Sequence, residues 1–150
     1  MKIEKNFLLE NLTEEDEDTI EYYMTGTCIA FAVALKEIFP DYQIAVLLDE
    51  KELDEDEEVE YDFDFVHAFC YKDDKSNTII DARGVRPQKE LYEEFYDINP
   101  RIDWDVRSSK SLIDEYAGKE FYSEETYEYD MVDYQNAKKF IKKHSDMYKI

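Results

Sequence analysis

Residues 28–39 read CIAFAVALKEIF, apolar at nearly every position until Lys36 and Glu37. A helix that is apolar all round has no face to offer water, so it belongs at the centre of a fold. Pro40 and Asp41 end it, because proline supplies no N–H to the preceding turn. Upstream, Gly26 separates this segment from an earlier helix signal. Thr13 is followed there by Glu14, Glu15 and Asp16. A threonine hydroxyl can cap the first free amides, and carboxylates suit the positive end of the helix dipole, which predicts a helix running to about Met24. Downstream, YQIAVLLD (42–49) is short and rich in β-formers, and is read as a strand.

Residues 49–64, DEKELDEDEEVEYDFD, hold few side chains that a core would accept and read as a solvated loop or loose strand extension. FVHAFCY (65–71) reads as a strand, DDKSN (73–77) as a turn and TIIDA (78–82) as the returning strand of an antiparallel hairpin. PQKELYEEFY (87–96) reads as a helix with Pro87 at its first position, and SKSLIDEYAG (109–118) as a further short helix. FYSEETYEYD (121–130) has no decisive period, and DMVDYQNAKKFIKKHSDMY (130–148) reads as a terminal helix with acids early and lysines late. The whole is expected to be one α+β domain spanning residues 1–150. Its central buried helix packs on a small antiparallel sheet, and accessory helices lie at the ends.

Composition narrows the function classes. A chain of 150 residues can bury a core without disulfides or metals. Two cysteines are too few for a disulfide scaffold, and the charged N-terminus lacks the apolar stretch of a signal peptide. A cytoplasmic location with reduced thiols is expected. The net charge of −21, from 39 acidic and 18 basic residues, opposes direct binding to nucleic acid or an anionic membrane. No CxxC, HExxH or phosphate-loop pattern is present, so neither a metal nor another cofactor is expected. Oligomeric state has no sequence signal.

The chemistry-bearing residues occur in a fixed order. Cys28 opens the buried helix, where free amides and the dipole stabilise a thiolate. His67 lies in the middle of a strand, and Asp81 ends the next strand fourteen residues later. A hairpin can bring such residues side by side. In that arrangement Cys28 is the nucleophile, His67 takes its proton or pairs with the thiolate, and Asp81 holds the imidazole in one tautomer. The Cys28 amide, Thr27, Tyr22 and Tyr23 are candidate oxyanion donors. Cys70 is expected to be packing or a partly exposed strand residue, and His144, among lysines, to be a surface residue.

TGTCIAFAVALKEIFPDYQIAVLL (25–48) followed by HAFCYKDDKSNTIIDARGV (67–85) resembles the core of the papain-like and transglutaminase-like superfamily. The resemblance covers roughly residues 25–85. It implies a fold in which a cysteine opens a buried helix and a histidine and an aspartate follow on adjacent strands. It also implies that Cys28, His67 and Asp81 form a thiol triad for acyl transfer, most simply amide or peptide hydrolysis. The chain departs from the family pattern in having Ile29, not an aromatic residue, after the cysteine, and no glutamine ahead of the helix.

A rival reading rests on charge. Acidic residues concentrate in 14–21, 49–64 and 114–133, the last interleaved with tyrosines. Carboxylates so spaced can imitate the phosphates of a duplex and occupy the groove of a basic, nucleic-acid-binding protein. Small anti-restriction and anti-CRISPR inhibitors of phages and mobile elements are similar in composition. The binding residues on this reading are Glu52, Asp54, Glu55, Asp56, Glu57 and Glu58, with Glu124, Glu125, Glu128 and Asp130, and the partner is a basic protein.

Overall fold

The computed structural model describes residues 12–24, 27–50, 63–72, 77–106 and 124–150, and of residues 63–64, 105–106 and 124–131 the backbone alone. In chain order the elements are α1 (Glu14–Met24), α2 (Cys28–Ile38), β1 (Gln43–Glu50), β2 (Phe63–Tyr71), β3 (Thr78–Asp81), β4 (Gly84–Pro87), α3 (Lys89–Glu94), β5 (Pro100–Val106), α4 (Glu124–Lys143) and α5 (Ser145–Tyr148). The strands form one antiparallel sheet in the order β4-β3-β2-β1-β5. This is an α+β arrangement of helices on a small antiparallel sheet.

The helix starts follow their sequence signals. Thr13 Oγ1 accepts the Asp16 amide at 3.0 Å, and Asp16 Oδ2 accepts the Thr13 amide at 3.1 Å. That reciprocal pair satisfies two amides at the mouth of α1. Helix α2 is buried over most of its length, from Cys28 to Leu35. One side meets Ile44, Val46 and Leu48 of β1 and Ala68 and Cys70 of β2, while Ala137, Phe140 and Ile141 of α4 close the same core. Each fully buried leucine or isoleucine here contributes about 1.5–3 kcal/mol. A second, smaller layer lies on the opposite face of the sheet: Ala45, Leu47, Phe69, Ile79 and Leu91. This is why β1 reads as a continuous apolar run rather than an alternation.

Two details position the site. Opposite Leu47 and Leu48 of β1 stand His67 and Phe65 of β2, so Val66 is an extra residue in that ladder. Phe65 packs with the α2 layer, whereas Val66 packs with the second layer. The bulge thus aims Val66 and His67 to one side, a known use of such irregularities. The second detail is Gly84, at φ +105°, in the turn that follows Asp81. A Cβ there would sit 3.0 Å from the Met147 carbonyl oxygen of α5, so the close approach needs glycine. The same end is tied by Tyr148, whose hydroxyl donates to Ala82 O at 2.9 Å and whose carbonyl accepts the Tyr42 hydroxyl.

Several expectations need correction. Strands β4 and β5 were not foreseen. Pro87 ends β4, and α3 starts two residues later at Lys89. The last helix begins at Glu124, taking in most of the stretch without a clear period, and breaks at His144 before α5. His144 is not a free surface residue: its ring is only 16% exposed, packs on Phe140 and lies 3.5 Å from Asp16. The expected helix over 109–118 lies outside the described residues. Among the described residues, no helix is long and apolar enough to cross a membrane.

Candidate active site

Cys28 is the first residue of α2 and is 2% exposed. Its Sγ accepts the Ala68 amide at 3.4 Å. Among the described residues, β3 pairs with β2 only at Cys70 and Tyr71, so at Ala68 the sulfur takes the amide where a ladder bond would otherwise continue. The thiol therefore enters the sheet from the helix side, at the place where two strands part.

His67 approaches from the second layer. Its ring lies 5.4 Å from that of Phe95 and 6.3 Å from that of Phe69, and the side chain has no solvent exposure. Nε2 is 3.1 Å from Asp81 Oδ2. Nδ1 is buried without a well-formed hydrogen bond. Burial alone would discourage a charged imidazole. Hydrogen bonding and charge from Asp81 and from the Cys28 thiol outweigh it and hold the His67 pKa up at about 9. The sulfur, the imidazole and the carboxylate thus form one interacting group.

Asp81 is also buried, at 2% exposure. Burial favours its neutral form, but hydrogen bonds from His67 and Arg83 prevail and keep it ionised well below the usual carboxylate range. Arg83 holds the carboxylate three times: its backbone N–H donates to Oδ1 at 2.9 Å, Nε to Oδ1 at 3.2 Å, and Nη2 to Oδ2 at 2.7 Å.

The auxiliary donors are placed differently from expectation. The Thr27 hydroxyl donates to the Tyr22 carbonyl at 2.6 Å and makes no capping bond to α2. Tyr22 and Tyr23 turn their hydroxyls to Asp133 of α4, at 2.8 Å to Oδ1 and 2.7 Å to the carbonyl. All three hydroxyls donate to these acceptors, which leaves the Cys28 amide as the candidate of that set with no competing bond described.

Sequence reasoning brought together Cys28, His67 and Asp81 and missed Arg83, Phe95 and the Ala68 amide. Arg83 carried a legible signal, since it stands two residues after Asp81 across a tight turn. Cys70 is packing, as expected: it is fully buried, its thiol donates to Ala32 O at 3.4 Å, and burial pushes its pKa up. Of the acidic binding residues, Glu52 to Glu58 lie outside the described residues. Glu124, Glu125, Glu128 and Asp130 fall in the first turns of α4, where only the backbone is described. Among the described residues, no group of three or more His, Cys, Asp or Glu side chains is placed to hold a metal ion. No protein-family model, curated protein or solved structure matches this chain.

Proposed function

We propose that this chain is a thiol-dependent acyl-transfer enzyme of the papain-like or transglutaminase-like type, most simply an amide or peptide hydrolase. The observation that carries the reading is the buried imidazole that Asp81 holds from Nε2 at 3.1 Å and whose basicity the Cys28 sulfur also raises. In this mechanism the Cys28 proton passes to His67, and the Ala68 amide and the start of α2 steady the thiolate. The sulfur attacks a substrate carbonyl carbon, and the new oxyanion meets the Cys28 amide. The C–N bond then breaks, and His67 returns its proton to the departing amine. Water, deprotonated by His67, cleaves the thioester and restores the thiol. At 2% exposure Cys28 is covered, so a substrate gains access only after the groups around the sulfur part.

The test is alkylation of the native protein with iodoacetamide, followed by turnover of fluorogenic amides. Cys28 is expected to react at least about tenfold faster than Cys70, whose thiol burial holds protonated. His67→Gln should slow Cys28 labelling, and Cys28→Ala should remove turnover while the fold persists. Equal labelling of the two thiols, or labelling of Cys28 only in denaturant, would defeat the proposal.

A second reading has one specific observation in its favour. Helix α1 exposes Glu14, Glu15, Glu17, Asp18 and Glu21 in a chain of net charge −21. We infer from this the alternative of a non-catalytic acidic binder that blocks a basic protein surface. On that reading Cys28→Ala is silent, whereas charge reversal in 52–60 or 124–133 and raised salt abolish binding to a basic partner.

A further inference from the structure

Asp81 offers two oxygens with about four directions from which a donor can approach. Arg83 fills three of them, through its amide at 2.9 Å, Nε at 3.2 Å and Nη2 at 2.7 Å, and His67 Nε2 fills the fourth at 3.1 Å. Oδ2 is shared between the guanidinium and the imidazole. A planar fork of donors fixes a carboxylate in a way that a point charge cannot.

We propose that Arg83 is a positioning residue for the Cys28–His67 pair: it locks the Asp81 carboxylate with Oδ2 facing Nε2 and limits how strongly that carboxylate draws on the imidazole. Two consequences follow. The carboxylate cannot rotate away from His67 while the fork is closed. The guanidinium, a positive charge on the same oxygen, also opposes a second positive charge on the ring, so the imidazole is less basic than a bare carboxylate would make it.

Among the described residues, the titratable groups that couple to this unit include Cys70 and Tyr148, both of which feel Asp81 by charge. His67 meets Cys28 from α2 and Asp81 from β3. Arg83, at 14% exposure, meets Asp81, and feels Glu90 and Glu94 of α3 by charge. Glu90 is itself paired with Arg86 at 2.5 Å. Arg83 thus couples by charge both to the buried carboxylate and to the acidic residues of α3.

The proposal rests on the thiol reading for its reactivity readout, whereas its titration readout stands independently. The experiment compares the full chain with Arg83→Met and Arg83→Lys. The His67 ring is titrated by NMR, and the iodoacetamide rate at Cys28 is followed against pH. Arg83→Met is expected to raise the His67 midpoint by about one unit or more, and to carry the alkaline limb of the alkylation profile with it. Arg83→Lys keeps the charge and loses the fork, so its midpoint should stay near that of the parent while the Cys28 rate falls. A folded Arg83→Met protein with an unchanged or lowered midpoint overturns the proposal. If Arg83→Met fails to fold, Arg83→Lys decides, and a parental rate together with a parental midpoint overturns it. An unreactive Cys28 in the parent sinks the thiol reading alone, because the NMR midpoints still judge Arg83.

Discussion

Replacing Asp81 with asparagine removes one charge and almost no volume, so its cost measures the electrostatics of the buried unit. In the folded chain the His67 pKa stands at about 9 against an ordinary 6.5. At ~1.4 kcal/mol per unit, that difference amounts to about 3 kcal/mol of stability. Because the folded value is the higher one, this contribution is fully present below pH 6.5 and is lost as pH rises through about 9. Asp81→Asn removes most of it, since burial and the adjacent Arg83 then act on the ring against Cys28 alone. It also leaves the Arg83 fork without its anion, and breaking a buried pair by removing one partner costs about 3–5 kcal/mol. Urea denaturation of both proteins across pH gives the answer, because other alkaline titrations affect the two alike and cancel in the difference. The expected result is a gap of several kcal/mol in mildly acid solution that shrinks by about 3 kcal/mol once the parent imidazole is neutral. A gap under about 1 kcal/mol, or one that does not change with pH, would refute the buried ion pair.

Other expectations are simpler. Gly84→Ala should lower stability by about 1–3 kcal/mol in thermal denaturation, because φ +105° and the 3.0 Å approach to Met147 O both exclude a side chain. Thr13→Ala should cost about 1 kcal/mol and fray the start of α1, seen as faster amide exchange at Glu14 to Glu17. Added sodium chloride should raise the melting temperature of the parent, since screening relieves the self-repulsion of a chain of net charge −21. A melting temperature that falls with salt would mean that attractive ion pairs outweigh the repulsion.

Much of the fold could be read from local signals. Thr13 and its carboxylates announced α1, and the all-apolar run from Cys28 announced a central helix. The order of Cys28, His67 and Asp81 on a helix and two strands was legible because each element had its own periodic or turn signature. Strand β5 was missed although Ile102, Trp104 and Val106 alternate with Arg101, Asp103 and Asp105, a period-two signal that the flanking polar residues obscured. Strand β4 has only four residues and ends in Pro87, so its pairing with β3 comes from tertiary context rather than propensity. The engagement of Thr27, Tyr22 and Tyr23 depends on a carbonyl and on Asp133, more than a hundred residues away from the tyrosines, which no local pattern encodes.

The unmatched Val66 makes the direction of His67 a matter of counting. Shortening β2 by that one residue would leave its composition almost unchanged yet force half of the strand to turn over. Either Phe65 would leave the α2 layer, or the imidazole would change faces and lose Asp81. A single deletion at this point would therefore be felt either in the hydrophobic core or in the meeting of imidazole and carboxylate, with the rest of the sequence unchanged.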